Sequence, residues 1–97
     1  MKRLVFTPSA RGDLQTIWLY SYENWGQDQA DAYTDAIEAA CRSIAKATSV
    51  VRRVPGSDTY RKRVVRSHVL YVRDFPNRIE VIRILHVRQD PDIQLGE

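Results

Sequence analysis

Two histidines, one cysteine and an excess of arginine over lysine are the side chains of this 97-residue chain that could do chemistry. His86 stands near the end of the segment EVIRILHVRQD, Glu80 to Asp90. Histidine titrates near neutral pH, so His86 could act as a general acid or base. It could equally be structural, bonding the C-terminal tail. His68 shares strand parity with Leu70 and Val72, which reads as a core or edge position rather than a ligand. Arg61 and Arg63 share one face of a strand, with Lys62 on the other. Arg83 could join them across the sheet, and such a group of guanidiniums suits phosphates and carboxylates. Arg83 and His86 are an odd number of positions apart, so they should point to opposite faces unless a bulge intervenes. That parity argues against an Arg83–His86 pair, and no catalytic residue is assigned. Two histidines and one cysteine, widely spaced, make no metal site. Without a Gly-rich phosphate loop or a Ser-His-Asp set, no metal or cofactor is expected.

These side chains need a scaffold, and the hydrophobic pattern supplies one. Lys2 to Phe6 is a short apolar run and reads as a strand. Thr7 is a good N-cap and Pro8 fits the first turn of a helix. Leu14, Ile17, Trp18, Ser21 and Trp25 fall near one face of that helix, and Gly26 ends it. Trp18 is expected to anchor the helix to the sheet. A second helix runs from about Asp28 to about Lys46, with Ala30, Tyr33, Ile37, Ala40, Cys41 and Ile44 as its apolar stripe. Joined by Gly26 alone, the two helices form an antiparallel hairpin. Thr48 to Thr59 is the main loop, with the turn signal PGSD. Tyr60 to Val65, Ser67 to Arg73 and Arg78 to Val87 follow as strands, the last two linked by DFPN. The last strand is apolar on both parities and should be central. The hairpin covers one sheet face. Ile93 and Leu95 could tuck back on the other, and part of that face is expected to be open or covered by a partner.

Ninety-seven residues make one domain, 1–97, with a thin core. No apolar run approaches the roughly 18–20 residues of a membrane span. The N-terminus lacks the apolar stretch of a signal peptide. A cytoplasmic protein is therefore expected. The lone Cys41 permits no internal disulfide. Net charge is +3, unevenly spread: residues 1–49 carry five Lys/Arg and six Asp/Glu, and residues 50–97 carry ten and six. The C-terminal half should face something anionic, either nucleic acid or an acidic protein, unless it is simply a solvated basic sheet face.

Three stretches carry more specific wording: FTPSARGDLQTIWLYSYENWG (Phe6 to Gly26), YRKRVVRSHVLYVRD (Tyr60 to Asp74) and the RILHVRQD ending. Together they resemble the ParE toxins of the ParE/RelE superfamily. The resemblance implies an α+β fold: an N-terminal strand and an antiparallel α-helical hairpin packed on a mainly antiparallel four-stranded sheet. It implies the toxin of a type II toxin–antitoxin module, inhibiting DNA gyrase by binding and neutralised by a ParD-like antitoxin in a hetero-oligomer. The alternative is a RelE-like, ribosome-dependent mRNA endonuclease, in which Arg61, Arg63, Arg83 and His86 would hold and cleave RNA. The full basic set of such nucleases, paired lysines above all, is missing here, which favours ParE. Trp25 at the hairpin tip, with Tyr71, Val81 and Leu85 on the sheet, are the residues expected to meet the antitoxin.

Overall fold

The computed structural model describes residues 2–46, 52–54, 56–57 and 59–89. The chain begins with strand β1, Arg3–Phe6, and turns directly into helix α1, Pro8–Trp25. Thr7 makes that turn. Its Oγ1 accepts the Ala10 N–H at 3.1 Å, capping the helix, and donates to the Ile82 carbonyl at 2.8 Å. One hydroxyl thus starts the helix and ties it to the sheet. Gly26 ends α1 at φ 89° and ψ 175°, and its N–H donates to the Tyr22 carbonyl. Helix α2, Gln27–Ala45, begins at the next residue. The expected hairpin is present, with helix ends within a residue of those read from sequence.

The sheet comprises β2 (Arg52–Arg53), β3 (Tyr60–Val65), β4 (His68–Asp74) and β5 (Arg78–His86), together with β1. The order is β1-β5-β4-β3-β2. The four expected strands are all there, and the two-residue β2 extends the sheet beyond β3. β5 is interior, parallel to β1 and antiparallel to β4, in keeping with its apolar residues on both parities. A two-residue turn joins β3 to β4, with Arg66 at φ 54°.

Both faces of the sheet are packed. On the helix side, Ile17 of α1 and Ile37, Cys41 and Ile44 of α2 cluster with Leu70, Val72, Val81 and Ile84. On the other side, Val54 lies against Val69, Tyr71 and Leu85, with Tyr60 beside them. The expected opening on this second face is therefore not found at Tyr71 or Leu85. The tail residues Ile93 and Leu95 lie outside the described residues, as do Pro55 and Asp58 of the turn signal PGSD.

Trp18 is not the anchor between hairpin and sheet. It is half-buried, donates from Nε1 to Asp31 Oδ1 at 2.8 Å, and stacks on Tyr22 with ring centroids 5.1 Å apart. It fastens one helix to the other. The sheet-facing positions of α1 are Ala10, Ile17 and Ser21, which recur at helical spacing. Leu19, Tyr20, Tyr22 and Trp25 of the same helix are exposed.

Candidate functional site

A bulge in β5 decides which side chains meet. Tyr71 pairs with Arg83 and Val72 with Val81, so Ile82 has no partner opposite it on β4. The extra residue shifts the alternation of the strand. Before it, Ile79 and Val81 belong to the helix-side core; after it, Ile84 does. His86, two positions beyond Ile84, falls on that side with its cross-strand partner His68. Arg83, at the bulge, is held against α1. Its Nε donates to Asp13 Oδ2 at 2.8 Å and its Nη2 to Oδ1 at 3.1 Å. The Ile84 N–H donates to Asp13 Oδ2 at 2.8 Å.

Arg83 and His86 consequently line one cleft of about 490 Å³, bounded by α1, the start of α2 and the end of β5. The expectation that parity separates them is corrected by the bulge. His68 lines the cleft too, its ring 5.3 Å from that of His86 and nearly perpendicular to it. The His68 Nδ1 is 2.7 Å from the Tyr33 hydroxyl, and that hydroxyl oxygen accepts the Ser67 N–H at 3.1 Å. The Tyr33 hydroxyl keeps both its O–H and a second lone pair, so either group can supply the proton of its bond to His68 Nδ1. The His86 Nδ1 accepts the Arg88 N–H at 3.1 Å, which a backbone amide can only donate. Neutral His86 therefore carries its proton on Nε2. Burial, then the neighbouring His86, holds His68 below the usual histidine range, against an opposing pull from Asp13.

Arg61 and Arg63 share a face, as expected, but lie outside this cleft. They pair across to Val72 and Leu70 and sit on the helix side of β3. Arg61 Nη1 donates to the Tyr60 carbonyl at 2.9 Å. Arg63 is close enough to Cys41 to ease ionisation of its thiol, yet burial still pushes that thiol up to about 12. Arg83 does not join this pair: β4 intervenes, and Asp13 engages it from the other side.

Residues 4–91 match the sequence family described as the ParE toxin of type II toxin–antitoxin system, parDE. Toxin ParE1 of Mycobacterium tuberculosis is 36% identical over 100 residues, covering 96% of this chain and 97% of that one. The chain belongs to the ParE toxin family. Toxin ParE1 of Caulobacter vibrioides is 32% identical over 99 residues, spanning 99% of this chain and 100% of its own. A chain from the chromosomal ParDE system of P. aeruginosa has the same fold, with a TM-score of 0.77 at 20% identity over 91% of this chain and 98% of that one. The YoeB dimer from Staphylococcus aureus is more distant, with a TM-score of 0.59 at 17% identity over 88% and 95%. At such identities these two likenesses speak to fold alone. As a ParE toxin, the chain is the toxin part of a type II toxin–antitoxin system.

Within this ParE toxin, the residues expected to meet the antitoxin divide sharply. Trp25 is 63% exposed at the hairpin tip and lines the cleft. Tyr71 and Val81 are fully buried and Leu85 is 2% exposed, so none of them offers a surface to a partner. Val81 faces the helices and Tyr71 the second cluster. From the sequence, Asp13 draws no notice, Tyr20 and Tyr33 read as packing around the hairpin, and His68 reads as a core or edge position. An Asp in the second turn of an amphipathic helix gave no sign that it would bond a strand 71 positions away.

Proposed function

We propose that this ParE toxin inhibits DNA gyrase by binding, in the cytoplasm, and that a ParD-like antitoxin neutralises it in a hetero-oligomer. The observation that carries the binding reading is the state of the two imidazoles. A general base must present a lone pair to the reacting group. Here the His86 Nδ1 lone pair accepts the Arg88 N–H, so neutral His86 holds its proton on Nε2, and His68 Nδ1 is engaged by the Tyr33 hydroxyl. Neutral His86, the catalytic candidate, therefore offers a donor rather than a base. Family membership supports the same reading, and no step of turnover is needed.

For the antitoxin, the exposed residues of α1 are the surface of choice. Leu19, Tyr20, Tyr22 and Trp25 are all exposed on that helix, and exposed aromatics on one helix make good anchors. The RelE-like reading has one observation in its favour, the meeting of Arg83 and His86 in one cleft. The deciding experiment sets two assays side by side with the purified chain: supercoiling by gyrase, and cleavage of mRNA on translating ribosomes. Inhibited supercoiling without cleavage is expected. Position-specific cleavage lost in Arg83→Ala would replace the gyrase reading with the nuclease one. In cells, growth arrest on expression should be relieved by the antitoxin encoded beside the toxin.

A further inference from the structure

The cleft beside α1 is amphipathic along its length, and that asymmetry points to a ligand class. At one end stand Tyr20 and Trp25, 59% and 63% exposed, with ring centroids 5.8 Å apart at an interplanar angle of 76°. At the other end are His68 and His86, and the Arg88 N–H bonded to His86 Nδ1 leaves His86 with an Nε2–H as donor. Cations flank the histidine end. Arg66 is exposed, with its guanidinium carbon 5.7 Å from the Tyr33 ring centre, and Arg88 is exposed beside His86. Asp13 is the acidic residue among those lining the cleft, and it is already engaged by Arg83 and the Ile84 N–H. The volume of about 490 Å³ is that of a small-molecule site, for which roughly 300–1,000 Å³ is usual.

We propose that this cleft binds a nucleotide, its base against Tyr20 and Trp25 and its phosphate on the Nε2–H donor of His86, beside the cations Arg66 and Arg88. A base has a flat π-face that stacks on exposed aromatic rings whatever its identity. A phosphate monoester, with a second pKa of about 6, is mainly a dianionic acceptor near neutral pH, so it matches a donor set among cations. An acidic peptide would satisfy the histidine end but would leave the two aromatic rings without a planar partner. The inference is independent of the macromolecule that the toxin inhibits, and no bond is made or broken in it. The source of the nucleotide is either a free mononucleotide or one unit of a single strand.

The test is a titration of the purified full chain, followed by tryptophan indole and histidine imidazole NMR signals. The probes are AMP, adenosine, inorganic phosphate, a deoxythymidine decamer and a Glu-rich peptide. The expected result is saturable, simultaneous shifts of the Trp25 indole and both imidazoles with AMP, and weaker ones with adenosine or phosphate alone. Trp25→Ala should weaken AMP by about tenfold through the lost stacking, while inorganic phosphate binds as before. His86→Ala should remove most of the phosphate contribution, so that the preference for AMP over adenosine narrows while adenosine binds as before. Thermal melting of both variants confirms that they are folded, and Trp25 is exposed enough that its loss should leave the fold intact. Tighter binding of the decamer than of AMP would assign the site to single strands, and equal binding to free nucleotides. No saturable shift up to low millimolar AMP overturns the proposal. So does a response to the Glu-rich peptide without one to AMP or the decamer.

Discussion

The His68 imidazole, half-buried in the cleft beside His86, has a pH signature. His68 ionises below the ordinary histidine value of 6.5, first because of burial and then because His86 is beside it. In the unfolded chain the same residue takes up its proton near 6.5. Between the two values the unfolded state binds more protons, so stability must fall as pH drops through this window. Below the folded value the slope from this residue vanishes; above about 6.5 its full contribution is present. Melting temperatures at about pH 7.5 and about pH 5.5 should show a larger loss in the wild type than in His68→Gln, which cannot take up this proton. Equal losses would mean that His68 is as easily protonated in the fold as outside it.

At the scale of elements, the helical hairpin depends on one residue. Gly26 is both the end of α1 and the start of α2, at a φ of 89° and ψ of 175° that side chains strongly disfavour. No atom lies within 4 Å of where its Cβ would be, so only the backbone resists substitution. Gly26→Ala is expected to cost about 1–3 kcal/mol by urea denaturation. An unchanged midpoint would mean that the turn relaxes freely. The packing of the helices gives a second contrast. Ile37 is wholly buried between α2 and the sheet, and Ile37→Ala should cost about 2–5 kcal/mol. Trp18→Ala should cost less, because that ring is half-buried and joins helix to helix. A Trp18 variant as unstable as the Ile37 variant would show that the contact between helices holds the core together.

The same elements show what the sequence could convey. Thr7, Pro8 and Gly26 act on their nearest neighbours, so the helix ends could be read from residue types alone. The span of β3, Tyr60–Val65, was legible because a turn signal precedes it. The bulge was not legible. Nothing in VIRIL marks Ile82 as the residue left without a partner. The bonds that hold the bulge come from α1 and its cap: Thr7 Oγ1 to the Ile82 carbonyl, and Asp13 to the Ile84 N–H and to Arg83. A contact more than 70 positions away in sequence therefore set the parity of His86, and with it the make-up of the cleft. Burial of Tyr71 was hidden for a similar reason, since Val54, from before β3, packs against it.

Over the whole molecule, charge and apolar surface are set in different places. The aromatic face lies on α1, in the half of the chain with a net charge of −1, whereas residues 50–97 carry +4. If an acidic antitoxin binds across both, the two surfaces should govern different rates. Cations on the sheet attract the partner over a distance set by salt, so they act on association. Aromatic anchors on α1 act after contact, so they slow dissociation. Raising ionic strength from about 0.05 M to about 0.5 M should therefore lower the association rate by about tenfold and leave dissociation nearly unchanged. Trp25→Ala should do the reverse, speeding dissociation by about tenfold or more with little change in association. Surface plasmon resonance with the toxin immobilised separates the two rates. If association proves insensitive to salt, the basic half has no part in meeting the antitoxin, and the aromatic face of α1 would have to direct the encounter by itself.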